Sequence, residues 1–148
     1  MLELRHIHKY YNPGTISEMC LFQDFNLEIQ KGEFVSVVGS NGSGKTSMLN
    51  LICGSIGLDE GQILIDGKDI TRQKEYKRLK RIGRVYQNPA MGTCPEMTIL
   101  ENLSMADCKG GFFGLQRGTD KKRIPYYREL LSQLGLGLED KLYAKVGT

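Results

Sequence analysis

The sequence predicts an α/β fold in which a short buried strand runs into a glycine-rich loop and the loop into a helix. Three adjacent stretches carry that expectation. EFVSVV, residues 33–38, is an apolar, β-branched run suited to a strand covered on both faces. GSNGSGKT, residues 39–46, fits the spacing G-x-x-x-x-G-K-[ST], with Gly39, Gly44, Lys45 and Thr46 at the defining positions. SMLNLI, residues 47–52, continues in helix-compatible residues.

The composition of the loop answers the needs of a polyphosphate. Gly39, Gly42 and Gly44 can take backbone conformations closed to other residues, so the chain can wrap an anion and aim N–H groups inward. Lys45 adds a mobile positive charge for the outer phosphates. Thr46 offers a hydroxyl to Mg²⁺, a hard ion that takes oxygen ligands and bridges substrate phosphates. The helix that follows presents its positive dipole end to the same anion.

A chain of 148 residues has the length of one domain and can bury a core. With 20 basic and 17 acidic residues its net charge is +3, too balanced to mark an electrostatic nucleic-acid binder. No apolar run approaches the roughly 18 residues that span a bilayer, and MLELRHIHKYY lacks the apolar core of a secretory signal. The expectation is a cytoplasmic polypeptide. Cys20, Cys53, Cys94 and Cys108 are widely spaced and read as small buried hydrophobes, and His6 and His8 lack further ligands for a metal.

Leu2 and Leu4, spaced by two, predict a first strand over LELRHIHKYY that Asn12-Pro13-Gly14 ends, leaving Tyr10 and Tyr11 at its tip. Phe25, Leu27 and Ile29 alternate with polar residues and predict a half-buried second strand. Beyond the loop helix, Gly54, Gly57 and Gly61 mark a connection, and QILIDGKDI predicts a hairpin turning at Asp66-Gly67. KEYKRLKR, residues 74–81, reads as a short helix with a solvated basic face, and RIGRVYQ, residues 81–87, as a strand that delivers Gln87. Residues 88–97 read as a loop, and Thr98 and Glu101 have the spacing of a capping box that starts a helix. KGGFFGLQRG, residues 109–118, reads as irregular with exposed aromatics. KKRIPYYRELLSQLG predicts a last helix packed through Tyr127, Leu130, Leu131 and Leu134 and stopped at Gly135.

A tyrosine after the first strand, GSNGSGKT, GQILIDGKDI, RIGRVYQNP and TILENL, in that order, resemble the ATP-binding subunit of ABC transporters from Leu2 to Thr148. The wording NPGT and AMGTCPEMTILENL is similar to bacterial import-type members. The resemblance implies a P-loop NTPase core of ABC type with an antiparallel β subdomain over residues 1–87, followed by part of a helical subdomain over residues 88–148. It implies ATP and Mg²⁺ as cofactors. Gly39, Ser40, Asn41, Gly42, Ser43, Gly44, Lys45 and Thr46, with Ser47 beside them, would hold the phosphates. Gln87 would be the Q-loop glutamine at the Mg²⁺ and attacking-water region, so that Lys45 and Gln87 are the catalytic candidates and Thr46 and Gln87 the metal candidates. Tyr11 would stack on adenine, with Tyr10 as the alternative. The partners implied are transmembrane permease subunits, received around residues 88–105, and a second ATPase subunit, on the inner face of the cell membrane.

The same resemblance implies that a signature LSGGQ follows AKVGT, and neither it, the Asp-Glu pair nor the switch histidine occurs in these 148 residues. The expectation is an amino-terminal part that binds nucleotide without turnover and leaves an apolar edge of a parallel sheet open. Its parent would be an ATPase driving solute transport, most simply import. Other readings stay open: a soluble ABC-type ATPase acting on nucleic acid or ribosomes, an unrelated P-loop kinase or GTPase, or a domain that only binds nucleotide.

Overall fold

In the computed structural model, which describes residues 1–109 and 118–147, the chain divides into two compact units, Met1–Ile82 and Gly83–Thr148. Each folds around its own apolar cluster. Nearly all of KGGFFGLQRG lies outside the described residues.

The first unit is an antiparallel sheet with a helix on it. Strands β1 (Leu2–Tyr11), β2 (Met19–Ile29), β3 (Glu60–Ile65) and β4 (Lys68–Asp69) take the order β2-β1-β3-β4. Helix α1 (Lys45–Cys53) buries Met48, Leu51 and Ile52 with Leu4 and Ile7 of β1, Ile63 of β3, and Ile70. The β3–β4 turn is at the expected Asp66-Gly67, both with positive φ, which is the backbone a two-residue hairpin needs for its twist to match the strands. Phe25, Leu27 and Ile29 of β2 are half-buried while Asn26, Glu28 and Gln30 are exposed, as a period-two pattern requires.

Strand β1 departs from strict alternation. Leu4 is buried, yet the next core residue is Ile7 rather than residue 6, because His6 takes φ 50° and the ladder to β3 skips from Arg5↔Gln62 to His8↔Glu60. Two β1 residues thus face Gly61 in a β-bulge. Gly61 has φ 107°, and a Cβ there would lie 2.4 Å from the His6 carbonyl oxygen, so only glycine fits. On the other edge His6 is pinned to β2: its N–H donates to Asn26 Oδ1 at 2.8 Å and its Nδ1 bonds Asp24 Oδ1 at 2.6 Å. The His6 hydrogen bond holds the Asp24 carboxyl below the usual carboxylate range.

Three expectations are corrected here. Residues 33–38 form no strand: no backbone ladder pairs them, and Phe34 and Val38 are each 93% exposed. A fully apolar run becomes a central strand only where neighbouring strands take its N–H and C=O groups, and no described strand flanks it. RIGRVYQ, residues 81–87, likewise forms no strand, with Val85 exposed. The basic stretch is also not wholly solvated. Helix α2 (Glu75–Arg78) buries Arg78, whose guanidinium donates to the carbonyls of Leu51 (2.7 Å), Ile52 (3.2 Å), Thr71 (2.6 Å) and Gln73 (2.9 Å). It ties the C-terminal end of α1 to the turn after β4, a position where a cation also meets the negative end of the helix dipole.

The second unit holds helices α3 (Ile99–Asp107) and α4 (Ile124–Ser132) around Leu100, Tyr127, Leu131 and Leu142. Helix α3 starts at Thr98 with the expected capping box: Thr98 Oγ1 accepts from Glu101 N–H at 3.2 Å, and Glu101 Oε2 accepts from Thr98 N–H at 2.8 Å. Helix α4 is shorter than its pattern. Asp120 caps a 3-10 turn over Lys121–Arg123, Pro125 lies in the first helical turn, and Gly135 (φ 64°) follows the end. Tyr127 and Leu131 are buried, but Leu130 and Leu134 are exposed, since 130 falls off the 127/131 face and 134 lies past the helix. Of the cysteines, Cys53 alone is buried; Cys20, Cys94 and Cys108 are exposed free thiols.

Candidate phosphate-binding loop and nucleotide site

Loop 39–44 is shaped by its glycines and by Lys45. Gly42 (φ 85°) and Gly44 (φ 88°) are left-handed, a conformation that turns successive peptide N–H groups toward one side. A Cβ on Gly39 would lie 2.5 Å from Ser43 Oγ, which is how closely the chain doubles back. The Lys45 ammonium closes the loop from its own helix, donating to the carbonyls of Gly39 (2.7 Å) and Ser40 (2.6 Å) and approaching Ser43 Oγ at 3.4 Å.

Gly44 is the N-cap of α1 and carries no side chain to cap it, and no acidic residue stands in the first turn. The positive end of α1 is therefore presented by main-chain N–H groups alone, the arrangement that attracts an anion. Asn41 and Thr46 are exposed, and Ser47 is half-buried. Thr46, second in α1, has a hydroxyl open to a hard cation bound beside a phosphate.

The tip of the β1–β2 ribbon stands at this loop. A Cβ on Gly44 would be 3.2 Å from Leu21 Cδ1 and 3.3 Å from Phe22 Cζ, so β2 packs directly on the helix start. Phe22 pairs with Lys9, and Tyr10 and Tyr11 pair with Cys20 and Met19. Both tyrosines are half-buried. Burial, then the neighbouring Cys20, pushes the Tyr10 hydroxyl up from its ordinary value. The Lys9 ammonium lies 5.7 Å from the centre of the Tyr11 ring.

Gln87 belongs to the second unit, where it is exposed just before the 3-10 turn Pro89–Met91. The first unit thus seats Leu21 and Phe22 of β2 against Gly44, on the ribbon whose tip carries Tyr11. Two side chains that no motif singled out also act on the site's framework: Arg78, hidden in a basic run, and Asp59, which binds the tip of β1 (Tyr10 N–H to Oδ2, 2.7 Å). One of two arginines among the five basic residues of KEYKRLKR carries no signal of burial. Asp59 lies immediately before the third strand, in the connection marked by Gly54, Gly57 and Gly61, where nothing local distinguishes it.

In the second unit a cleft of about 520 Å³ opens between α3 and residues 138–146, lined by Thr93, Ile99, Asn102, Leu103 and Val146. Asn102 organises its rim: its amide accepts from Cys94 N–H at 2.8 Å and donates to the carbonyls of Cys94 and Thr98 at 3.1 and 3.0 Å. The rim is also bound to the chain around residue 146 through Val146 N–H to Met97 O, 3.1 Å. No helix among the described residues is long and apolar enough to cross a membrane.

Comparison with known proteins agrees with the geometry. A tyrosine transport ATP-binding protein of Clostridioides difficile (strain R20291) is 40% identical over 151 residues, which cover 99% of this chain and 58% of that protein. A spermidine/putrescine import ATP-binding protein of Pasteurella multocida (strain Pm70) is 41% identical over 98% of this chain and 35% of its own length. A bacterial ABC transporter cassette solved as a dimer superposes with a TM-score of 0.75 at 30% identity, over 98% of this chain and 61% of that one. A post-hydrolysis cassette dimer bound to ADP and Pi gives 0.74 at 28% identity, over 98% and 61%. The chain spans at most about three-fifths of the length of these relatives. The fold is accordingly the α/β fold of ATP-binding cassettes, entered through its antiparallel sheet, loop and α1. The sequence pattern of the ABC transporter family matches residues 22–147, and the chain belongs to that family.

Proposed function

We propose that this chain binds ATP with Mg²⁺ and forms part of the ATPase subunit of an ABC transporter of the import type. The observation that carries the reading is the uncapped N-terminus of α1, facing a glycine loop whose carbonyls hold the Lys45 ammonium. Residues Gly39 to Ser47 bind the phosphate chain: main-chain N–H groups from Asn41 to Thr46 receive its oxygens, and Lys45 turns from the loop carbonyls to the outer phosphates. The partners of the ammonium are neutral oxygens, two carbonyls and the Ser43 hydroxyl, so exchanging them for phosphate oxygens adds the attraction between opposite full charges. Thr46 supplies a hydroxyl to the metal. Bound Mg²⁺ would be held on the protein side by that hydroxyl and would supply charge neutralisation to the phosphates.

Tyr11 receives the adenine ring. Its position at the ribbon tip whose β2 side rests on Gly44 supports this, and stacking on an aromatic face contributes about 1–3 kcal/mol per base. Tyr10, the alternative, leaves the strand on the opposite face from its neighbour Tyr11. Gln87, assigned by family position, orients water and metal through an amide that both donates and accepts. Residues 88–105 receive a permease subunit; the cleft rimmed by Asn102 supports that assignment, and the import function named for the spermidine/putrescine relative supports the direction of transport. A second ATPase subunit, as in the dimeric cassettes, completes the site, and the assembly sits on the inner face of the membrane.

Titration of the chain with ATP and Mg²⁺ tests the reading. Lys45→Ala should weaken ATP binding by at least about tenfold, the loss of one charge-assisted contact, with little change in melting temperature. Unaltered affinity in that variant, or strong preference for GTP in the parent chain, would overturn it.

A further inference from the structure

The last ladder pair between β1 and β3 is His8↔Glu60, yet β1 continues three residues further to Tyr11. Asp59 extends the hold. Its N–H donates to the His8 carbonyl at 3.0 Å, its Oδ2 accepts from Tyr10 N–H at 2.7 Å, and its Oδ1 accepts from Lys9 Nζ at 3.0 Å. One side chain thereby replaces the missing strand residues opposite 9 and 10. The carboxyl is held below its usual range, first by the Tyr10 N–H and then by Lys9.

Lys9 is unusual for a lysine on a strand tip, because its side chain is only 15% exposed. Its stem lies on the face of β1 that carries Tyr11 two residues on, and its ammonium stands 5.7 Å from the centre of that ring. A cation at this distance is attracted to the ring's negative face. The ammonium is thus fixed between a carboxylate and an aromatic, and the aromatic is fixed in turn.

We propose that the Lys9–Asp59 pair is the positioning device of the base site: it holds the Tyr11 ring with one face against the Lys9 ammonium and leaves the other to receive an aromatic base. The proposal rests on Tyr11 as the base-stacking residue. A ring already ordered loses less freedom when a base lands on it, so the pair raises affinity for the base without touching the phosphates. Lys9 and Asp59 are positioning residues, acting through Tyr11.

The experiment compares binding of ATP and of inorganic tripolyphosphate, each with Mg²⁺, by calorimetry on the whole chain. The ratio of the two affinities reads the contribution of the base. Tyr11→Ala should cut that ratio by about 5- to 100-fold, as the loss of one stacked base predicts. Lys9→Met and Asp59→Asn should each cut it by about three- to tenfold, with tripolyphosphate affinity unchanged, and Lys9→Met should do nothing further in a Tyr11→Ala background. Asparagine keeps an acceptor for Tyr10 N–H, and circular dichroism checks the fold; if Asp59→Asn does not fold, Lys9→Met decides. An unchanged ratio in Tyr11→Ala removes the base site from Tyr11 and the proposal with it. A reduced ratio in Tyr11→Ala beside unchanged ratios in Lys9→Met and Asp59→Asn overturns the positioning role alone. Equal losses for both ligands in Lys9→Met also overturn it, by making the pair merely structural.

Discussion

Asp107, at the end of α3, and Arg123, at the start of α4, meet fork to fork: Nε and Nη2 of the arginine donate to the two carboxylate oxygens at 2.8 and 2.7 Å. Tyr127 Oη adds a third donor at 2.8 Å from the buried face of α4. Arg123, then Tyr127, holds the Asp107 carboxyl below its usual range, and Asp107 raises the arginine further. A carboxyl depressed in the folded chain stabilises it above the unfolded value, near about 3.9, and that contribution is lost as pH falls through the lower folded value. Protection of the α3 and α4 amides, taken relative to their intrinsic exchange rates, should therefore fall on acidification below about pH 4. Asp107→Asn should flatten that limb; parallel acid limbs in both proteins would refute the link.

The Tyr127 hydroxyl is displaced the other way, first by burial and then by its bond to Asp107. A group raised in the folded state stabilises below its unfolded value, near about 10, and the contribution disappears as pH climbs through the folded one. Tyr127→Phe should remove this alkaline loss from a melting curve taken against pH, whereas Tyr126→Phe, on an exposed neighbour, should not.

Gly61→Ala should destabilise the first unit by about 2–3 kcal/mol in a urea melt, because its Cβ meets main-chain carbonyls of Arg5 and His6 that cannot turn away. Gly57→Ala, with open space around its Cβ, should change stability by no more than about 0.5 kcal/mol. Equal melts for the two variants would show that the bulge at His6 is not needed.

Arg78→Met should cost about 2–4 kcal/mol, since the buried carbonyls of Leu51 and Ile52 lose a charged donor that no apolar side chain replaces. Arg78→Lys keeps the charge but not the fork, and should fall between. A neutral Arg78→Met would mean that water serves those carbonyls.

Thr98→Ala removes the acceptor for Glu101 N–H and should lower the stability of the second unit by about 1 kcal/mol, while Thr98→Ser retains most of it. Helix content at pH 7 and a denaturant midpoint read the difference, and indistinguishable midpoints for Ala and Ser would show that the cap is idle.

Features decided within a few residues were legible in the amino-acid order. The loop 39–46, the turn at Asp66-Gly67 and the box from Thr98 to Glu101 each depend on side chains or φ values close in sequence, and each formed as its spacing implied. The ends of α4 were less legible, because Asp120 offers a competing cap and Gly135 lies beyond the last helical residue.

By itself the sequence determined the backbone of the loop and the family to which the chain belongs, since glycine and lysine at fixed spacing carry their own physical requirements. Only the tertiary structure decided where β1 bulges, that Arg78 is buried, and that Asp59 reaches back 50 residues to Lys9. It also decided that residues 33–38 and 81–87 form no strand. Strand character is not a property of a segment: a ladder needs a second backbone at the right distance, and a charge is buried only where distant carbonyls converge on it.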